Sequence, residues 1–112
     1  MTKISKKGRI KMKIKPTLEI ARRSVQQSIS EFNEKYTSPM SKTELIKLQK
    51  GFETSYKKEH GENFKNHFHE FCLLQVIINI AKTLNLHKIG NIELSDEQED
   101  LCAKALYETW SQ

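Results

Sequence analysis

The stretch HFHEFCLLQVIINIA, residues 67–81, constrains the fold more than any other part of the chain. Phe64, Phe68, Phe71, Leu74, Ile78 and Ala81 recur at steps of three and four, the period of an α-helix. Cys72, Leu73, Val76, Ile77 and Ile80 widen that stripe until little polar surface is left. A helix of this kind, expected over 63–85, belongs at the centre of a domain with other helices packed on it. Its continuous apolar part is too short and too polar to cross a bilayer, so no membrane is expected.

The same spacing predicts three more helices. Leu18, Ala21, Val25, Ile29, Phe32 and Tyr36 define one over 18–36, with Thr17 as N-cap and Pro16 discouraging an earlier start. Ser41-Lys42-Thr43-Glu44 has the form of a capping box, and Met40 and Leu45 are placed as a hydrophobic staple. The helix it opens, 42–59, carries Leu45, Leu48, Phe52 and Tyr56 as a core stripe, with Gly61 as its stop. Ser95 and Gln98 stand at capping-box positions for a last helix over 96–110, whose apolar residues are Leu101, Cys102, Ala105, Leu106 and Trp110. Short connections at 37–40 and 60–62 favour antiparallel neighbours. The expected fold is all-α, a four-helix bundle or close variant. RIKMKIK alternates at period two and KIGNIEL partly does so, which leaves room for the two segments to pair as a small β-ribbon on the helical body.

A chain of 112 residues can hold one core, so residues 1–16 read as a basic arm and 17–112 as a single helical domain. The basic start never reaches a continuous apolar segment of the signal-peptide kind. Cys72 and Cys102 have no paired spacing that would build a disulfide framework, which points to a reduced, cytoplasmic setting.

The formal charge of +5 is unevenly placed: nine cations fall in residues 1–23 against Glu19 alone, and the remainder is mildly acidic. Such a field reaches outward and favours a polyanion. The expectation is a small non-enzymatic accessory protein that binds nucleic acid or a nucleoprotein assembly through phosphate contacts. Lys6, Lys7, Arg9, Lys11, Lys13 and Lys15 would make those contacts, joined by Arg22 and Arg23 on the first helix. The arm has no interleaved aromatics, so stacking on single strands is not expected. The competing expectation is a solvated tail, or one lying on the chain's own Asp96, Glu97, Glu99 and Asp100. A different class of function also fits: a regulator or inhibitor, immunity- or antitoxin-like, that docks a helical face on a protein partner or a second copy. Tyr107 and Trp110 are its candidate contact residues.

Catalytic, metal and cofactor readings are weaker. On a helix His67 and His69 point about 200° apart and cannot grip one ion together. His69 shares a face with Cys72, but Cys102 and His87 would have to complete a zinc site at spacings no ligand pattern matches. Both thiols read as small core hydrophobes, and a thiol entering an apolar run is not activated. Glycines 8, 51, 61 and 90 are isolated and form no phosphate loop. A helix-turn-helix over IINIAKTLNLHKIGNIEL places Asn85 at the turn but puts Gly90 and Asn91 where helix is required.

Overall fold

The computed structural model describes residues 17–110; the arm and its RIKMKIK segment lie outside them. Four helices follow one another: α1 (Leu18–Lys35), α2 (Lys42–Lys58), α3 (Gly61–Leu84) and α4 (Asp96–Trp110). Two short strands, β1 (Met40–Ser41) and β2 (Lys88–Ile89), lie in the connections. This is the all-α four-helix bundle that the apolar spacing predicts, with every helix end within two residues of expectation.

Local chemistry sets most of those ends. Thr17 Oγ1 accepts from Ile20 N at 3.1 Å and opens α1. Ser41 and Glu44 exchange both bonds of a capping box, 3.2 Å to Ser41 Oγ and 2.9 Å to Glu44 Oε1. Ser95 and Gln98 repeat the arrangement at α4, at 3.2 and 3.0 Å. Each reciprocal pair satisfies two helix-end donors that would otherwise face solvent. Gly61 departs from its expected role. α2 already ends at Lys58, and Gly61, at φ 65°, is the first residue of α3 rather than a stop. Asn85 closes α3 in the left-handed conformation, its N–H bonding back to the carbonyls of Ala81 and Lys82.

α3 is the central helix, packed by α1, α2 and α4. It supplies Leu73, Leu74, Ile77, Ile78, Ile80 and Ala81 to the core, where Phe32, Leu45, Ile89 and Leu106 meet them. Full burial of each large aliphatic or phenyl group contributes about 1.5–3 kcal/mol.

Five large residues of the predicted apolar stripes are not in it. Leu18, Phe64, Phe68, Leu101 and Trp110 are 40%, 39%, 42%, 51% and 37% exposed. α3 outruns α1, whose end meets α3 at Glu70, so the residues of α3 before that point have α2 as their neighbour. On α4 the inward face is Cys102, Ala103 and Leu106, and Leu101 stands about 100° off it.

The strands pair antiparallel, Met40 with Ile89 and Ser41 with Lys88. KIGNIEL therefore does supply a strand, but to the α1–α2 connection. Any pairing of RIKMKIK lies outside the described residues. Gly90 makes the close approach workable, since a Cβ there would lie 2.8 Å from Pro39 Cα. With β2 after Asn85 and no helix until Asp96, the described chain holds no helix-turn-helix in this segment.

Candidate protein-docking face

From Phe71 to Ala81 α3 is apolar except at Gln75 and Asn79, yet it is not covered on all sides. α2 lies antiparallel along one flank: Gln49 Nε2 donates to Gln75 Oε1 at 2.7 Å and to the Phe71 carbonyl at 3.4 Å. Tyr56 sets its ring edge-on to Phe64, Phe68 and Phe71, with centroids 5.8, 5.2 and 5.3 Å away. α1 lies along another flank, where its last turns reach His69 and Glu70. Between these flanks runs a strip of α3 that stays partly open to solvent, although Tyr56 touches its phenyl rings and Gln49 its Gln75. Phe64, Phe68, Cys72, Gln75 and Asn79 succeed one another along it at steps of three and four.

The two halves of the strip differ. In the first, the rings of Phe64 and Phe68 stack at 5.7 Å and stand out from the bundle. In the second, a cavity of about 610 Å³ opens beside α3. Leu73, Val76 and Leu106 give it apolar walls, and Ser24, Gln27 and Trp110 stand around it. Cys72 lies between the halves and is exposed, not buried as expected of a small hydrophobe; Cys102 alone fills that role. Partial burial pushes the Cys72 thiol up, and deeper burial takes Cys102 to about 11.

A charged cluster borders the strip. Lys35 Nζ donates to Glu31 Oε2 at 2.7 Å and also to Glu70. His69 Nε2 lies 2.7 Å from Glu31 Oε2, and the Tyr36 hydroxyl donates to Glu70 Oε2 at 2.8 Å. Burial works against ionised Glu31, yet the bonds from Lys35 and His69 outweigh it and hold the carboxyl below its ordinary range. The bonds to Glu31 and Glu70 raise Lys35 in turn. Burial, then the Glu70 bond, raises the Tyr36 hydroxyl. Ligand atoms of Glu31, His69 and Glu70 gather within 4.8 Å of one another, a set that could hold a cation. The Lys35 ammonium already sits on both carboxylates, so the protein supplies that positive charge itself. His67 turns instead to α2, its ring 5.7 Å from Phe52, as the helical spacing requires.

The residues expected to meet phosphate are divided. Lys6, Lys7, Arg9, Lys11, Lys13 and Lys15 lie outside the described residues. Arg22 is drawn onto the acidic first turn of α4, Nε 2.8 Å from Glu99 Oε1 and Nη1 2.6 Å from Asp100 Oδ1. The Glu99 bond raises its pKa further. Arg23 is exposed, with Nη2 3.4 Å from Glu19. Of the two partner-binding candidates, Tyr107 is half-buried against the core and Trp110 stands exposed at the cavity edge. Sequence reasoning did not find the Glu31–Lys35–Glu70 cluster or the cavity. The one local signal for the cluster was the spacing of Glu31 and Lys35, four apart on one helix.

No described helix is long and apolar enough to cross a membrane. Comparison with known proteins returned no match to a family model, a curated protein or a solved structure.

Proposed function

We propose that this protein is a docking module, which works by offering the open strip of α3 to a helix of a partner protein, as a small regulator or inhibitor does. The observation that carries this reading is the side of α3 between α1 and α2, where Phe64, Phe68 and Cys72 are exposed in line with a cavity whose walls include Leu73, Val76 and Leu106. Phe64 to Asn79 spans about 22 Å at a rise of about 1.5 Å per residue, the length of a four-turn helix. An amphipathic helix laid in such a groove is a recurring mode of recognition. Ser24, Gln27, Gln75 and Asn79 give the cavity a polar rim, and Glu31 and His69 stand at its border, so the fitting partner carries an apolar stripe with polar flanks. Exposed Phe and Trp side chains are the types that anchor interfaces.

A photoreactive benzoylphenylalanine at position 72, in cells making the full chain, tests the reading. One discrete protein adduct is expected, identified by mass and lost in Phe68→Asp. Absence of any adduct, in chain that is folded, overturns it.

A second proposal keeps the polyanion. It is supported by the seven cations of residues 1–15, by Arg23, and by Lys47, Lys50 and Lys58, all exposed on α2. Mobility shifts with and without residues 2–15, across a salt series, decide it. Binding should weaken steeply with salt and vanish on deletion; salt-insensitive binding, or none, removes the proposal.

A further inference from the structure

We infer that residues 10–14 of this chain occupy the cavity beside α3, as an extended segment folded back along α1 that a partner helix has to displace. The contact itself goes beyond the docking reading; its role as a cover rests on that reading.

Position and length come first. On α1 the cavity is bordered by Ser24, Gln27, Ser28 and Glu31. Followed backwards at steps of three and four, that row passes half-buried Ile20 and reaches Thr17, whose backbone is extended where the arm joins the helix. Ser24 and Glu31 lie about 10 and 21 Å up the helix from Thr17, at about 1.5 Å per residue. An extended chain covers about 3.3 Å per residue, so Ile14, Met12 and Ile10 reach about 10, 17 and 23 Å from the same point. The arm is therefore long enough to carry Met12 and Ile10 into the cavity, with Ile14 at its mouth beside Ser24.

The chemistry of the segment matches that of the cavity. Ile10, Met12 and Ile14 alternate with Lys11, Lys13 and Lys15, so an extended backbone puts the three apolar side chains on one face and the lysines on the other. Leu73, Val76 and Leu106 supply apolar walls for the first face. A single extended segment also brings backbone N–H and C=O groups that need partners. Ser24, Gln27 and Ser28 on one side of the cavity, and Gln75 and Asn79 on the other, are side chains able to meet them.

Charge selects a cationic occupant. Among the residues lining the cavity there is one carboxylate, Glu31, and no Lys or Arg. α1 and α3 are balanced in formal charge, while α4 carries Asp96, Glu97, Glu99, Asp100 and Glu108 against Lys104 alone. A lysine-rich segment laid between these helices meets a field of opposite sign. Because the segment is tethered at Thr17, docking is intramolecular and a contact of modest strength suffices, which leaves the cavity open to a competing helix.

Paramagnetic broadening on the full chain is the test. A nitroxide is attached to Lys13→Cys in a Cys72→Ser background, where the thiol of Cys102 is buried and does not react. The expected result is loss of the amide signals of Ser24, Gln27, Val76 and Asn79, with those of Lys57 and Lys58 on α2 kept. Adding Ile10→Asp and Met12→Asp, both outside the core of the bundle, should restore the lost signals. Nitroxide-bearing chain mixed with isotope-labelled chain that lacks it should leave every signal intact, as a contact within one molecule requires. Signals that all survive in the first sample overturn the inference. So do losses confined to Asp96–Asp100, losses indifferent to the two Asp substitutions, and losses in the mixed sample. The role as a cover is read from benzoylphenylalanine at position 72, where Ile10→Asp/Met12→Asp should raise the yield of partner adduct severalfold; an unchanged yield overturns that role. An adduct without broadening keeps the docking reading and overturns the arm as occupant. Broadening without an adduct keeps the arm in the cavity and overturns the docking reading.

Discussion

Asn33 closes a two-bond clip on the backbone of Ile92, its Nδ2 donating to the Ile92 carbonyl and its Oδ1 accepting from the Ile92 N–H, both at 2.8 Å. A side chain on α1 thus stands in for a neighbouring strand and satisfies the peptide groups of a core residue 59 positions away. Replacement by Ala leaves both groups unpaired at a buried residue, which costs about 2–3 kcal/mol. Urea titration should show a lower midpoint for Asn33→Ala at an unchanged slope.

Gly90 is expected to tolerate no side chain. A methyl group there would sit 2.8 Å from Pro39 Cα, which is backbone and cannot swing aside. Gly90→Ala should cost about 1–3 kcal/mol, the usual range for overpacking. Gly51→Ala is the contrasting variant. Nothing lies within 4 Å of its Cβ position and the site is mid-helix, so it should raise stability by about 0.4–1 kcal/mol.

The cluster at the end of α1 gives stability a pH dependence of known sign. Glu31 has its folded pKa below the ordinary 4.5, so its contribution is present above that value and is lost as pH falls through the folded pKa. Lys35 is raised above 10.5, so its contribution is present below that value and is lost as pH climbs through the folded pKa. Glu31→Gln should therefore flatten the acid limb of a thermal-midpoint profile. Lys35→Met should flatten both limbs.

Arg22 and Arg23 are neighbours with opposite prospects. Arg22→Gln removes the bridge from α1 to the first turn of α4, and should lower the thermal midpoint at low salt by an amount that shrinks as salt is added. It should leave any binding of nucleic acid unchanged. Arg23→Gln should leave stability unchanged, and where phosphate binding is measured it should reduce the salt slope by about one.

The elements legible in the sequence were those fixed by their immediate neighbours. Thr17, the Ser41–Glu44 pair and the Ser95–Gln98 pair state where helices begin, because each acts across three residues of contiguous chain. Apolar spacing found α3 and its central place for the same reason. It did not reveal which side of α3 lies bare, since Phe64 and Leu74 look alike in a periodic stripe and differ in whether another helix reaches them. β1 and β2 are two residues long, too short for an alternating pattern to announce their pairing. The ring of Glu31, Lys35, Tyr36, His69 and Glu70 depends on how two distant helices cross, a relation that spacing along one chain does not carry.

The ladder of Met40 and Ile89, with Asn33 clasping Ile92, braces two connections at the same end of the molecule, while the turn at residues 59–60 has no strand pair and is tied by a side chain, Glu59 Oε1 lying 2.9 Å from His67 Nδ1. A protease must draw several consecutive residues out of the fold before it can cut. Trypsin should accordingly nick the body first around Lys57, Lys58 and Lys65, and spare Lys88 despite its exposure, so that the hairpin of α2 and α3 is the part of the body where digestion begins.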